Sequence, residues 1–125
     1  MAIPEKFTNK YIDNEIAKLN ESISFCDQAI VSLTRTIQYA EERYKKAEEA
    51  KRNEYMRISY PEFYDMGRIT YGYTQTMNAA NEKIRKAIED INRETEKKWK
   101  YETQKCELEQ LRKMTEEQRA EKYNQ

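Results

Sequence analysis

Residues 16–47 read IAKLNESISFCDQAIVSLTRTIQYAEERYKKA, and their spacing decides the fold. Ile16, Leu19, Ile23, Cys26, Ile30, Leu33, Ile37, Ala40, Tyr44 and Ala47 recur at alternating intervals of three and four. A mean interval of 3.5 residues keeps one apolar stripe on one face of a helix and predicts packing along a heptad seam. Isoleucine holds four successive a positions, and the small Ala40 and Ala47 near the end of the run would let another helix approach closely. Ile12, Phe25, Ala29 and Val31 lie off this stripe and widen the apolar face. Beyond Ala47 the next seam positions fall on Lys51 and Glu54, while Tyr55 and Ile58 restore apolar character after a shift. That pattern predicts a stutter.

Composition agrees with long helices. The chain has 125 residues with only 2 Gly and 2 Pro, and 37% of it is charged. Leu, Ile, Val and Phe number 19, too few for a conventional core but enough for a narrow seam. Pro4 suits a first helical turn, and Thr8 or Asn9 suits a cap slightly later. The one break is SYPEFYDMGRITYGYT, residues 59–74, which holds Pro61, Gly67 and Gly72. Ser59-Tyr60-Pro61-Glu62 has capping-box spacing, so a short turn ending at Gly67 is expected. After it, Met77, Ala80, Ile84, Ile88, Ile91, Thr95, Trp99, Glu102 and Cys106 drift along a second helical stripe, followed by Leu108, Leu111 and Met114. The organisation expected is an all-α antiparallel hairpin of one domain: arm one at 8–58, an aromatic tip at 59–74, arm two at 76–120 and a polar tail at 121–125. The polar residues from Glu116 onward are expected to fray.

Folding back near Met66 would pair residues whose numbers sum to about 132. Leu33 then meets Trp99, Tyr44 meets Ile88, Ala47 meets Ile84, Ala40 sits near Ile91, and Cys26 lands opposite Cys106. Large residues face small ones, as interdigitation requires. Ile at a with Leu at d also suits a parallel homodimer, and two hairpins sharing leftover apolar stripes would make a dimeric four-helix bundle.

Catalysis finds little support. The chain has no His, no glycine-rich phosphate loop and only two cysteines, 80 residues apart, which fit no zinc motif. No cofactor or metal is expected. No run of about 18 apolar residues could cross a bilayer, and Met1–Lys6 lacks a signal-peptide core. A cytoplasmic protein is expected, with secretion by a signal-less route left open.

Two features point to binding. Tyr60, Phe63, Tyr64, Tyr71 and Tyr73 crowd the break, and tyrosine supplies large contact area at low entropic cost. These rings would either cover the end of the seam or meet a partner. Charge is also uneven within a net charge of zero: residues 43–57 and 83–100 each carry an excess of three positive charges. Arg43, Lys45, Lys46, Arg85, Lys86, Lys97 and Lys98 would form a basic girdle able to meet phosphates or an acidic protein. Interleaved Glu and Lys at helical spacing can equally be a solvated face.

The helix–loop–helix pattern is similar in shape to the WXG100-type hairpins. However, the tip reads Asp65-Met66-Gly67 and Tyr71-Gly72 where that group has Trp-x-Gly, and Tyr101 is followed four residues later by Lys105 rather than an acid. It also resembles prefoldin-like hairpins in outline, for which only Arg68–Tyr73 could supply a tip strand. The expected function is a non-enzymatic protein–protein interaction module, an adaptor, scaffold, chaperone-like accessory or inhibitor, that forms a homodimer. Nucleic-acid association through the girdle is the alternative.

Overall fold

The computed structural model describes residues 3–123; Met1 and Ala2 of the N-terminal reading and Asn124 and Gln125 of the expected tail lie outside them. The chain is 90% helical, and no strand occurs among the described residues. Among the described residues four α-helices form: α1 (Asn9–Arg57), α2 (Met66–Ile69), α3 (Tyr71–Arg112) and α4 (Glu116–Tyr123). The long α1 and α3 pack against each other as a helical hairpin. Contacts divide the chain into two compact units, one of residues 31–92 and one of residues 3–30 with 93–123.

In the unit of residues 31–92, the buried side chains of the two long helices are small: Ala40 and Ala47 from α1, Ala80 and Ala87 from α3. Two helices alone cannot enclose a bulky side chain, so full burial falls to residues that end at Cβ, with larger neighbours such as Leu33, Ile37, Tyr44, Ile84 and Ile91 half-buried beside them. Lys51, Glu54 and Ile58 are also half-buried, and Tyr55 is exposed. The three-four interval of inward positions therefore runs unbroken through two charged residues. The expected stutter does not occur. Long Lys and Glu stems can cover apolar surface while their charged ends reach water.

α1 ends where Tyr60 takes a left-handed conformation (φ 59°, ψ 61°) ahead of Pro61. Pro61–Phe63 then form a single 3-10 turn with no side-chain cap, so the expected Ser59 capping box is not made. Asp65 caps α2 instead, its carboxylate accepting from the Arg68 amide at 3.2 Å. Gly67 lies inside α2 rather than ending a helix. Buried Thr70 donates its hydroxyl to the Met66 carbonyl at 2.6 Å, and Met66 is buried with it. Arg68–Tyr73, the only candidate tip strand, is thus mostly helical.

The other unit is closed by the chain ends. Thr8 caps α1, its hydroxyl oxygen accepting from the Tyr11 amide at 3.2 Å, and Glu116 accepts from the Asn9 amide at 3.2 Å. Within the described residues, Glu116–Tyr123 of the polar tail form a helix where fraying was expected. Thr115 and Gln118 make a reciprocal capping box, each side chain accepting from the other's amide at 3.1 and 3.0 Å, which starts α4. α4 then delivers Arg119, only 1% exposed, onto the carbonyls of Leu111, Met114 and Phe7 and the Asn9 side chain at 2.6–2.7 Å. The last carbonyls of a helix have no partner within it, and its C-terminus carries partial negative charge. A guanidinium with five donors satisfies both at once. Tyr123 completes the closure, its ring 5.1 Å from that of buried Phe7 and under the Lys6 ammonium at 4.0 Å.

Candidate interaction surface

The tip collects exposed apolar surface. Tyr60, Phe63, Tyr64 and Tyr71 are all exposed, Phe63 by 79%, and Met56 and Ile69 add to them; only Tyr73 of the five expected aromatics is half-buried. The rings do not cover the seam. The buried side chains of the tip are instead Met66 and Thr70. Tyr60 and Phe63 stand 6.1 Å apart, tilted, as a local pair. Tyr60 also bears the only positive φ outside glycine among the described residues. Holding a bulky residue there costs on the order of 1 kcal/mol that glycine would avoid. Such strain clusters at functional sites.

On α1 the expected seam residues lie inward. Cys26 and Ala40 are buried, and Ile16, Leu19, Ile23, Ile30, Leu33, Ile37 and Tyr44 are half-buried. Ile12, placed off the stripe by its spacing, is 1% exposed and extends the same interval toward the N-terminus. Phe25 and Val31 remain outside.

α3 departs from expectation. Ile84 and Ile91 are half-buried, but Ile88 is 46% and Trp99 64% exposed, and Cys106 is exposed. Among the half-buried or buried positions, Met77, Ala80, Ile84, Ala87, Ile91, Glu94, Lys98, Tyr101, Lys105 and Leu108 follow a three-four alternation, with Tyr73, Thr74, Thr76, Asp90 and Leu111 half-buried outside it. Ile88, Thr95, Trp99, Glu102 and Cys106 of the expected stripe fall off this line, while Ile91 stays on it. Glu94, Lys98 and Lys105 occupy it instead.

Register differs as well. In the unit of the chain ends, Lys98 bridges to Asp27 at 2.7 Å and Arg112 to Asp13 at 2.9 Å, pairs whose numbers sum to 125 rather than 132. The shift is one heptad. Cys26 is hydrogen-bonded to Glu94 rather than set against Cys106, and Trp99 of the expected Leu33–Trp99 layer is exposed. Burial pushes the Cys26 thiol above its ordinary range, helped by its hydrogen bond with Glu94. The Asp27 carboxylate raises Lys98 in turn.

The basic girdle is partly neutralised within the chain. Arg85 pairs with both Glu82 and Glu89, Lys97 with Glu94 at 3.4 Å, and Lys98 with Asp27. The Arg85 guanidinium holds the Glu82 carboxyl below its usual range. Arg43, Lys45, Lys46 and Lys86 are exposed on their helices.

No group of three or more metal-ligating side chains occurs among the described residues, and no helix there is long and apolar enough to cross a membrane. Arg119 was not legible as a key residue, although the Thr115-x-x-Gln118 spacing marks the helix that carries it. Comparison with protein-family models, curated proteins and solved structures finds no match to this chain.

Proposed function

We propose that this protein is a non-enzymatic protein-binding module whose aromatic tip is its contact surface. The observation that carries the reading is the exposed set Tyr60, Phe63, Tyr64 and Tyr71 with Met56 and Ile69, held on a strained turn and not used to cover the hairpin's own seam. Aromatic and Met side chains are what the centres of protein interfaces favour. A pull-down from native lysate, comparing wild type with Phe63→Ala plus Tyr64→Ala, tests it. Loss of a specific partner in the variant supports the reading; an unchanged partner set refutes it.

Self-association belongs to the same proposal. The uninterrupted three-four interval suits coiled-coil packing, and exposed Phe25, Val31, Ile88 and Trp99 are apolar side chains that one hairpin leaves in water. A homodimer in the form of a four-helix bundle would cover them. Sedimentation equilibrium should give twice the monomer mass. The nucleic-acid reading is the weaker one, because Arg85, Lys97 and Lys98 are already engaged by carboxylates.

A further inference from the structure

An open groove of about 380 Å³ runs along α1 within residues 31–92. Ser32, Thr36 and Ala40 recur every fourth residue and line it with small side chains; Arg35, Tyr39 and Arg43 recur beside them, and Lys83 of α3 borders it next to Ala40 and Arg43. The Thr36 hydroxyl is turned back on the Ser32 carbonyl at 3.2 Å, so this strip is small and internally satisfied. Arg52 and Arg85 are paired with carboxylates of their own helix, Arg52 with Glu48 and Arg85 with Glu82 and Glu89, whereas Lys45, Lys46, Lys51 and Lys86, outside the groove, are not paired among the described residues. Arg35, Arg43 and Lys83 have no such ion pair among the described residues.

The dimensions of the groove select its occupant. Arg35 and Arg43 are eight residues apart, roughly 12 Å along a helix axis. A ligand that meets both must be elongated and carry anionic groups at that separation. Carboxylates seven or eight residues apart on a helix match it, and a strip ending at Cβ or Oγ lets a helix backbone come close. A nucleic-acid strand fits less well. Its continuous phosphates would run past Glu41, Glu42 and Glu82, which adjoin Arg43 and Lys83 in sequence and bound the cationic stretch.

We propose that this groove seats an acidic helix of a partner protein. Arg35 and Arg43 take carboxylates two turns apart through their planar donor forks, Lys83 adds a charge beside Arg43, and the Tyr39 ring covers an apolar side chain between them. The site stands apart from the tip aromatics, and its test is indifferent to them.

The test uses the full chain and a fluorescein-labelled, alanine-based peptide of about 20 residues, long enough to be helical, with Glu at eight-residue spacing. A Gln-for-Glu version and single-stranded oligothymidylate of equal charge serve as comparisons, read by fluorescence anisotropy at moderate salt. The Glu peptide should bind, and the Gln version should not. Arg35→Gln and Arg43→Gln should each weaken binding about three- to tenfold, with Lys86→Gln, outside the groove, changing it less than about twofold. No binding by the Glu peptide would overturn the proposal. So would equal weakening by Lys86→Gln, which means diffuse attraction, or tighter binding of the oligothymidylate, which means a nucleic-acid site.

Discussion

The Arg119 guanidinium donates to the Phe7 carbonyl at 2.6 Å across 112 residues of sequence, and so ties α4 to the turn that precedes α1. This arginine is buried without a carboxylate in its hydrogen-bond set; its acceptors are the carbonyls of Phe7, Leu111, Arg112 and Met114 and the Asn9 side chain. The dipole at the end of α3 supplies the compensating negative potential.

Arg119→Ala should therefore destabilise by about 3–5 kcal/mol, since the carbonyls would lose their donors while remaining enclosed. Arg119→Lys should recover only part of this, because an ammonium cannot span the same fork. Urea unfolding, with amide exchange over residues 116–123, measures both. A loss below about 1 kcal/mol would show that water replaces the guanidinium readily.

The two thiols should differ sharply. Exposed Cys106 should react with a maleimide at once, while Cys26, buried and hydrogen-bonded to Glu94, should label only as the protein opens. Glu94, the neighbour of Cys26, lies twelve residues from Cys106, roughly 18 Å along α3, beyond disulfide reach. Mild oxidation should yield intermolecular Cys106 links and no Cys26–Cys106 bridge, and a peptide map showing that bridge would refute the register. Because folding raises the Cys26 pKa, the folded state holds its proton more firmly. Its contribution to stability is present below the unfolded thiol pKa and is lost as pH rises through the folded value, so stability should decline on the alkaline side.

Glu94 sits half-buried on the inward line of α3 beside Cys26. Glu94→Leu should add about 1 kcal/mol of stability by extending apolar burial. It should also broaden the oligomer distribution, as polar residues on a seam specify register at a cost in stability. Denaturant melts and sedimentation velocity together check this; a destabilised or uniformly unchanged protein would contradict it.

Tyr60→Gly should relieve the left-handed strain and stabilise by about 1 kcal/mol, while weakening capture of the tip's partner. Thermal melts and the pull-down read the two effects separately. A variant that gains no stability would show that the Tyr60 ring, packed near Phe63, offsets the backbone cost.

Much of the fold was legible in the order of residues. The three-four interval on α1, the two glycines and two prolines, and the aromatic break predict two long helices joined by a tip, and the chain folds that way. The tip aromatics were legible as a cluster, but whether they pack inward was not, because the fold of the tip buries Met66 and Thr70 and leaves Tyr60, Phe63, Tyr64 and Tyr71 exposed.

Periodicity alone determined which face of α1 turns inward, since an interval of 3.5 residues admits one stripe. It could not choose the register. Sliding one helix past another by seven residues returns every inward position to the seam, so pairings summing to 132 and to 125 look alike until specific contacts such as Asp27 with Lys98 separate them. Nor could it place Trp99 outside and Lys98 inside, because hydrophobicity favours the reverse and only the rigid geometry of α3 decides between neighbours. The tertiary structure likewise gave the polar tail its role. Arg119 is solvated in an isolated helix, and it becomes a structural residue only where the orphan carbonyls of α3 and the Phe7 carbonyl are brought together around it.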